Sequence, residues 1–419
     1  PMRETGMNHQ SVKTGNQLLV LRTLHEEGPM SRTDLAARCG LSKMTITNRI
    51  QELLDAGDIR EIESAMPSDA IMMAEGVAEG VTEPAGGAYR TGRRPILLET
   101  VPDARHAVSL YISRDRIQAM VFNWRLQEKA SFSVDFPPTD TAAHFRTRLV
   151  ASVHHVLDAA GLQETDVCGI GVAVIGPVDL NRGILLNPPN FHSLREIPIR
   201  DWLETAFSIP VFLDNDMNAS AVAELLFGHG KGLRSFVYVG VTNGIGAGII
   251  LDGRPFRGHG GFAGEFGHTS IAVDGPVCAC GNTGCLELYA SIPAIVARIG
   301  ADARSNGHAG TAPAWEGIAA ALQAGNAWFL PQVQAACRCL SAGIVSLVNL
   351  FDPQAVFLGH ELALAGETVR QEILEAVHQR VLAPQHQSLP ILYSAFGPRA
   401  PLHGGAALVF DHVLHASAG

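Results

Sequence analysis

A compact group of cysteines and one histidine constrains this chain more than any other feature of its sequence. Three cysteines and one histidine fall within eighteen residues, as His268, Cys278, Cys280 and Cys285. Four such ligands are sufficient for one tetrahedral zinc ion of the Cys3His type. Gly281 and Gly284 permit the tight turns that would bring the last two cysteines back to one metal. The spacing therefore predicts a metal-braced loop.

Two acidic residues, Glu265 and Glu287, flank this cluster without being needed as ligands. The alternative interpretation is four unrelated residues or a disulfide pair. It is weaker because the composition is that of a cytosolic protein and the spacing is compact. Four protein ligands leave no open position for water, so the predicted zinc ion is structural and not catalytic.

Length and charge limit the class of protein. A chain of 419 residues is long enough for two or three domains. Its formal net charge of −10 argues against a protein that coats nucleic acid, although it allows a small DNA-reading module on an acidic body. No apolar signal segment and no run of about 18 apolar residues is found, so we expect a cytoplasmic protein without a membrane span.

The first sixty residues show short amphipathic segments separated by glycine turns. Apolar spacing predicts one helix that ends at Gly28, a second from Ser31 to Gly40, and a third from Ser42 to Ala56. This is the helix-turn-helix pattern, in which the start of the last helix enters the major groove of DNA. The alternative is a three-helix bundle used for dimerisation. The predicted DNA-contacting residues are Ser42, Lys43, Thr45, Thr47, Asn48 and Arg49.

A wing is predicted to follow these helices. The apolar segments 59–62 and 96–98 each indicate a short strand, which would make the module a winged helix. Residues 63–86 between them have no clear period, so we expect a flexible insertion at the tip of the wing. Arg93 and Arg94, held between Gly92 and Pro95, suit insertion into a narrow minor groove. A basic linker is the alternative.

From residue 101 onward, strand-like runs alternate with helical patterns, which indicates an α/β body. Asn215 and Asp216 come at the end of one strand, just before a helix. Binding groups in open α/β sheets collect at such strand ends. A glycine-rich loop, 242–248, follows the next strand, but such loops also form plain hairpins, so by itself it is a weak indicator of phosphate binding.

The segment 258–291 resembles the signature of the ROK family (repressors, open reading frames and kinases). Shorter motifs follow in the family's order, namely 176–179, 187–190, 215–218, 349–353 and 404–407. The winged helix with its Gly-Arg-Arg-Pro sequence is similar to the transcriptional-regulator branch. The resemblance implies a two-lobed, actin-like (ribonuclease H-like) α/β body with a sugar bound in the cleft between the lobes.

The resemblance also implies a division of the chain and a set of site residues. The winged helix would span 1–100, the first lobe 101–227 with the C-terminal helix 400–419, and the second lobe 228–399 with the zinc site and a dimerisation surface. His268 would bind zinc through one ring nitrogen and face the sugar with the other. Asp216 could also be a helix N-cap. The positions that match the family's sugar-binding residues are Asn190, Asn215, Asp216, Glu265, His268 and Glu287.

The ATP-binding elements depart from those of the family's kinases. Asp216 stands at the position of the catalytic base, but Tyr111 and Ser113 replace the Asp and Gly of the first phosphate loop. Asn243 replaces a Thr in the second loop, and Gly359-His360 replaces a Gly-Gly pair. Phosphoryl transfer depends on such positioning groups. We therefore expect no kinase activity.

These observations together predict a sugar-responsive regulator, a repressor of genes of carbohydrate metabolism. It would act as a homodimer or homotetramer that binds double-stranded operator DNA, with a small sugar as effector and a structural zinc ion. The alternative is an ATP-dependent sugar kinase with a DNA-binding appendage.

Overall fold

The computed structural model describes residues 9–63, 96–188, 191, 194–305 and 313–415. The chain divides into two compact units, one of residues 1–104 with 414–419 and one of residues 105–413. The predicted wing insertion lies outside the described residues except for Glu63, which ends a strand. Arg93, Arg94 and Asn190 lie outside them as well.

The N-terminal unit is a winged helix, as the sequence predicted. Its helices are α1 (His9–Glu27), α2 (Arg32–Cys39) and α3 (Lys43–Asp55). Its strands are β1 (Met30–Ser31), β2 (Ile59–Glu63) and β3 (Ile96–Thr100). They form an antiparallel sheet in the order β1-β3-β2. Strand β1 was not predicted from the sequence, because it has only two residues and no alternating pattern.

Local signals set the ends of the two helices in the helix-turn-helix motif. Ser31 caps α2 by accepting a hydrogen bond from the backbone N of Asp34, and Ser42 caps α3 in the same way from Thr45. Gly40 ends α2 with φ of 63°, a conformation that favours glycine. The inward faces share one apolar core, which leaves the opposite face of α3 to solvent. The core includes Val20, Leu24, Leu35, Ile46, Ile50 and Leu98.

The first lobe of the body is a five-stranded sheet with helices. The strands of the sheet are β4 (His106–Ile112), β5 (Arg116–Asn123), β6 (Glu128–Asp135), β7 (Val167–Val174) and β10 (Val211–Asn215). A separate ribbon consists of β8 (Val178–Asp179) and β9 (Ile184–Leu185). The helices are α4 (Ala142–Ala160), α5 (Ile199–Ala206) and α6 (Asp216–Phe227). The sheet order is β10-β7-β4-β5-β6.

The second lobe repeats this plan. Its strands are β11 (Phe236–Val241), β12 (Ile245–Leu251), β13 (Arg254–Pro255), β14 (Val356–Gly359) and β15 (Ile391–Tyr393), in the order β13-β12-β11-β14-β15. Its helices are α7 (Glu287–Ala290), α8 (Ile292–Ser305), α9 (Trp315–Gln323), α10 (Leu330–Phe351) and α11 (Glu367–His378). In each lobe the first strand lies between an antiparallel neighbour and a parallel one. This duplicated order is the actin-like body predicted from the sequence.

The last helix, α12 (Ala400–His415), returns to the first lobe. Ser109 on β4 donates a hydrogen bond of 2.5 Å from its hydroxyl to the carbonyl of Leu402. A Cβ at Gly171 would lie 1.8 Å from the carbonyl oxygen of Gly405, so no larger residue fits there. The glycine therefore allows α12 to lie directly on the sheet.

The segment Ala327–Phe351, which contains α10, is the one helix among the described residues that is long and apolar enough to cross a membrane. Half of its apolar window is buried within the structure. Val333, Leu340 and Ile344 on this helix belong to the core of the second lobe. Packing within that lobe thus accounts for its composition.

Candidate functional site

The predicted cysteine and histidine cluster forms one group in the structure. The ligand atoms of His268, Cys278, Cys280 and Cys285 all lie within 4.8 Å of one another. The Cys280 and Cys285 sulfurs are 3.7 Å apart, and His268 Nδ1 lies 3.8 Å from the Cys278 sulfur. Ordinary Zn–S and Zn–N bonds at tetrahedral angles require separations of about 3.6–3.8 Å. The donor set therefore fits a tetrahedral metal, whereas a disulfide would need about 2.0 Å.

Backbone turns and one amide side chain hold the cluster in shape. Gly281 and Gly284 have φ of 92° and 68°, and a Cβ at Gly284 would lie 1.8 Å from the carbonyl oxygen of Ala272. Asn282 donates hydrogen bonds from Nδ2 to the carbonyl of His268 and to the Ser270 hydroxyl, at 3.0 and 3.1 Å. Asn282 was not among the residues predicted from the sequence. Its position between Gly281 and Gly284 of the cluster was the available signal.

The cluster is joined to a cleft through His268 and Glu287. His268 closes the turn Phe266–His268, and Glu287 is the first residue of α7. Glu287 Oε1 lies 3.1 Å from the Cys278 sulfur and 3.5 Å from His268 Nδ1. Both residues also line the cleft. One ring nitrogen of His268 thus faces the cluster, which fixes the orientation of the ring toward the cleft.

Five of the six predicted sugar-binding residues line this cleft, which has a volume of about 290 Å³. Gly176 allows them to approach, since a Cβ there would lie 2.8 Å from Asn215 Nδ2 and 3.2 Å from Glu265 Oε1. The sixth, Asn190, is outside the described residues, although Pro188, two residues earlier in the sequence, lines the cleft. The five are Asn215, Asp216, Glu265, His268 and Glu287.

Asn215 and Asp216 are neighbours in sequence but have different structural roles. Asn215 is the N-cap of α6 and accepts a hydrogen bond of 2.9 Å from the backbone N of Met217. Asp216 is the first helical residue and is buried, with its Oδ2 3.8 Å from His360 Nε2. The capping role that the sequence allowed for Asp216 therefore belongs to its neighbour, and the Asp216 carboxylate is held close to a histidine.

The carboxyl of Glu265 lies in the cleft, where the walls limit its solvation. This partial desolvation raises the pKa of Glu265 above its usual value, the charge of His268 opposes the shift, and the Asp216 and Glu287 carboxylates reinforce it. Three carboxylates converge here on one small volume. Such groups accept hydrogen bonds from adjacent hydroxyls of a polyol.

An ion pair between a buried carboxylate and a partly exposed arginine, not predicted from the sequence, braces the strand before the site. Asp214 on β10 is 1% exposed and accepts hydrogen bonds of 2.7 Å from the Arg257 guanidinium and 3.0 Å from Asn218. Arg257 follows β13, so the pair ties the first lobe to the second. A buried carboxylate with these partners fixes the position of Asn215 beside it.

In the winged-helix unit, most of the predicted DNA-contacting residues are exposed at the start of α3. Ser42, Lys43, Thr47 and Asn48 are exposed and Thr45 is partly exposed. Arg49 differs from the expectation, because its guanidinium pairs with Glu52 at 2.6 Å and its side chain is only 13% exposed. Met44, which the sequence analysis did not include, is 77% exposed.

Two family models match the chain, and they divide it where the structure does. The ROK family model matches residues 107–412, which is more than half of the chain. The chain belongs to the ROK family. A second match, to the MarR family, covers residues 13–64 within the winged-helix unit.

Relatives of this ROK protein include repressors that match it over nearly its whole length. It is 29% identical to the xylose repressor of Caldicellulosiruptor bescii over 97% of this chain and 98% of that protein. It is 26% identical to the transcriptional dual regulator NagC of Escherichia coli, over 97% and 95%. The structure of a ROK transcriptional regulator homologous to E. coli Mlc matches with a TM-score of 0.78 and 27% identity, over 96% and 97% of the two chains.

A ROK kinase matches only the body. The glucokinase of Streptomyces griseus, solved with glucose and AMPPNP, has a TM-score of 0.66 and 28% identity, and covers 73% of this chain but 99% of its own. The winged-helix unit therefore has no counterpart in that kinase.

The structure places the residues that the sequence analysis compared with the kinases' ATP-binding motifs. Tyr111 at the end of β4 is buried, and its pKa is raised well above the usual value by burial, with the Asp216 and Glu361 carboxylates adding to the shift. His360 has φ of 57° and is 1% exposed. Its Nδ1 lies 3.0 Å from the Tyr238 hydroxyl. The buried His360 ring thus contacts the Asp216 carboxylate through Nε2. The next residue, Glu361, lines the cleft.

Proposed function

We propose that this ROK protein is a sugar-responsive DNA-binding repressor of genes of carbohydrate metabolism, located in the cytoplasm. One observation carries the proposal: repressors match the chain from end to end, whereas the glucokinase matches only the body. A kinase has no use for the extra winged helix. A regulator needs both parts in one chain, since effector binding must change the affinity for DNA.

The chemistry of the cleft supports a sugar as the effector. Asn215, Asp216, Glu265 and Glu287 offer amide and carboxylate groups, and a hexose presents adjacent hydroxyls that such groups bind in pairs. His268 adds a ring nitrogen. Asn190 is retained as a sixth contact on the basis of its motif alone.

We infer that the metal held by the cluster is a structural Zn²⁺. His268, Cys278, Cys280 and Cys285 would complete its coordination, and when bound it would supply a fixed tetrahedral node without an open catalytic position. The role of the metal would be to restrict the motion of the residues around it. His268 and Glu287 would be held in one orientation toward the sugar.

On the DNA side, we propose that two winged helices in a homodimer, or in a homotetramer, bind a roughly palindromic operator. Lys43, Thr47 and Asn48 on α3 would reach base edges or phosphates. Arg93 and Arg94 would contact the adjacent minor groove. The sugar would act by binding one conformation of the body more tightly than the other.

The alternative of a kinase has a specific observation in its favour, because Asp216 is present and buried at the base position. Against it, the Asp115 and Glu361 carboxylates line the cleft together with Tyr111 and Ser113, the positions of the kinases' first phosphate loop, and of the two arginines that also line it Arg116 is paired with Asp135. Phosphates bind to cations and backbone N–H groups, so these carboxylates disfavour a triphosphate.

One experiment with the purified chain separates the two functions. Fragments of the genomic DNA around its own gene are tested for binding in the presence and absence of each of a panel of sugars, and a parallel assay measures ADP release from Mg-ATP. We expect at least one sugar to change DNA affinity by about 5-fold or more, without ADP release. Sugar-dependent ADP release at steady turnover would establish the kinase instead.

A further inference from the structure

The cleft extends beyond the predicted sugar residues to a second group of polar side chains. Arg114 and Gln118 come from the β4–β5 hairpin, and Asn243 and Glu361 come from the second lobe. We refer to these four as the hairpin-side group. They face the same cavity as Asp216 and Glu265.

Most of the hydrogen-bonding capacity of this group has no partner among the residues that the structure describes. In the part of the chain that the structure describes, the side chains of Arg114, Gln118 and Asn243 have no hydrogen-bond or ion-pair partner. Glu361 Oε2 is buried and has no hydrogen-bond partner there either. By contrast, Asn215 caps a helix and Glu287 contacts the cysteine cluster. Convergent polar groups without internal partners in a cavity are typical of a ligand site.

The hairpin-side group is continuous with the predicted sugar residues. Tyr111 lines the same cavity and is close enough to the Asp216 and Glu361 carboxylates for both to act on its hydroxyl. A Cβ at Gly244, next to Asn243, would lie 3.3 Å from Glu287 Oε2. One ligand in this cavity can therefore contact both the predicted sugar residues and the hairpin-side group.

The types of side chain favour a polyol over a phosphate. One guanidinium, two amides and one carboxylate combine donors with acceptors, and a hydroxyl group both donates and accepts. A phosphate needs donors only. Glu361 and Asp115 would repel it. Two arginines line the cavity, but Arg116 is paired with Asp135, which leaves Arg114 as one cation against two carboxylates.

We propose that the part of the cleft lined by the hairpin-side group is a second carbohydrate subsite, and that the effector is a neutral disaccharide with one ring at Asp216 and Glu265 and the other at the hairpin-side group. This inference rests on the proposed function, since it assigns the class of sugar to the same cleft. The β4–β5 hairpin, which stands at the position of the kinases' first phosphate loop, would then bind sugar.

The test is calorimetric titration of the full chain with matched ligands: xylose and xylobiose, glucose and cellobiose, N-acetylglucosamine and its β-1,4 dimer, and the phosphate esters of the three monosaccharides. We expect one disaccharide to bind at least about tenfold more tightly than its own monosaccharide, because the second ring adds several hydrogen bonds. The Gln118→Ala/Asn243→Ala variant should lose that advantage and bind both ligands alike. Gln385→Ala, which removes an exposed amide outside the cleft, serves as the control.

Different failures have different meanings. If no saccharide binds, the proposed sugar response itself is wrong. If monosaccharide and disaccharide bind equally, if a sugar phosphate binds best, or if the disaccharide advantage survives in the double variant, the second subsite is wrong while the regulator remains.

Discussion

The wall of the cleft beside the cysteine and histidine cluster and the start of α3 are both polar surfaces, but their side chains are held in different ways. In the wall, Asn215 caps a helix, His268 and Glu287 contact the cluster, and Asp216 lies against a buried histidine. On α3, the exposed side chains of Lys43 and Asn48 have no hydrogen-bond partner among the described residues.

The difference follows from the ligands that the two surfaces are proposed to bind. A sugar offers a few hydroxyls in fixed directions, so its contacts must be held in place before binding for the affinity to be useful. DNA offers a continuous line of phosphates, and long mobile cations bind it through charge. Removing a contact that orients the cleft residues should therefore lower the affinity for sugar. Removing an intramolecular contact near α3 should change the affinity for DNA phosphates only slightly.

The largest effect is expected from Cys280→Ser. Cys280 is exposed, so the change removes a metal ligand without leaving a cavity. We expect the zinc content to fall from about one ion per chain toward zero after dialysis against a chelator. The free energy of unfolding should fall by several kcal/mol, and sugar binding should be lost. Metal analysis, thermal unfolding and titration with sugar measure these effects. Cys339→Ser, which removes a thiol outside the cluster, should keep its zinc; equal zinc loss in both variants would contradict the assignment of ligands.

A brace that is not proposed to contact sugar provides a second test. Arg257→Ala leaves the Asp214 carboxylate buried without its cation. Breaking such a pair costs about 3 kcal/mol, so the melting temperature should fall and sugar affinity should fall with it, since Asn215 follows Asp214 directly. Arg257→Lys keeps the charge, so it should retain part of the thermal stability and part of the sugar affinity. A stable Arg257→Ala variant with full sugar affinity would show that the wall does not depend on this tie.

A direct contact should have a smaller and more selective effect. Glu265→Gln keeps the shape but replaces a carboxylate that accepts hydrogen bonds, so we expect sugar affinity to fall about tenfold or more. The zinc content and the affinity for DNA without sugar should be unchanged. Titration with sugar and gel-shift assays measure both. If sugar affinity is unaffected, Glu265 does not belong to the effector site.

The two surfaces also differ in how far the sequence predicted them. Motif order and spacing predicted the winged helix, the α/β body and the residues of the cysteine cluster, because each depends on short local patterns. The brace of Asp214 by Arg257 was not predictable, since the two residues are far apart in the chain and neither belongs to a motif. Arg49 looked like an exposed cation by helical position, but Glu52 on the next turn draws it toward α1, where Lys13 and Gln17 also contact Glu52.

That contrast on α3 gives the smallest expected effect, and it separates two cations six residues apart. Lys43→Ala should reduce the slope of log affinity for DNA against log salt by about 0.9, the value for one phosphate contact, without changing the melting temperature. Arg49→Ala should leave the salt slope unchanged and lower stability by about 1 kcal/mol, because its charge is already paired within the domain. Binding across a salt series and thermal unfolding of both variants decide the matter. If Arg49→Ala lowers the salt slope as much as Lys43→Ala does, then Arg49 leaves Glu52 to reach a phosphate, and the division between braced and free side chains does not hold on this helix.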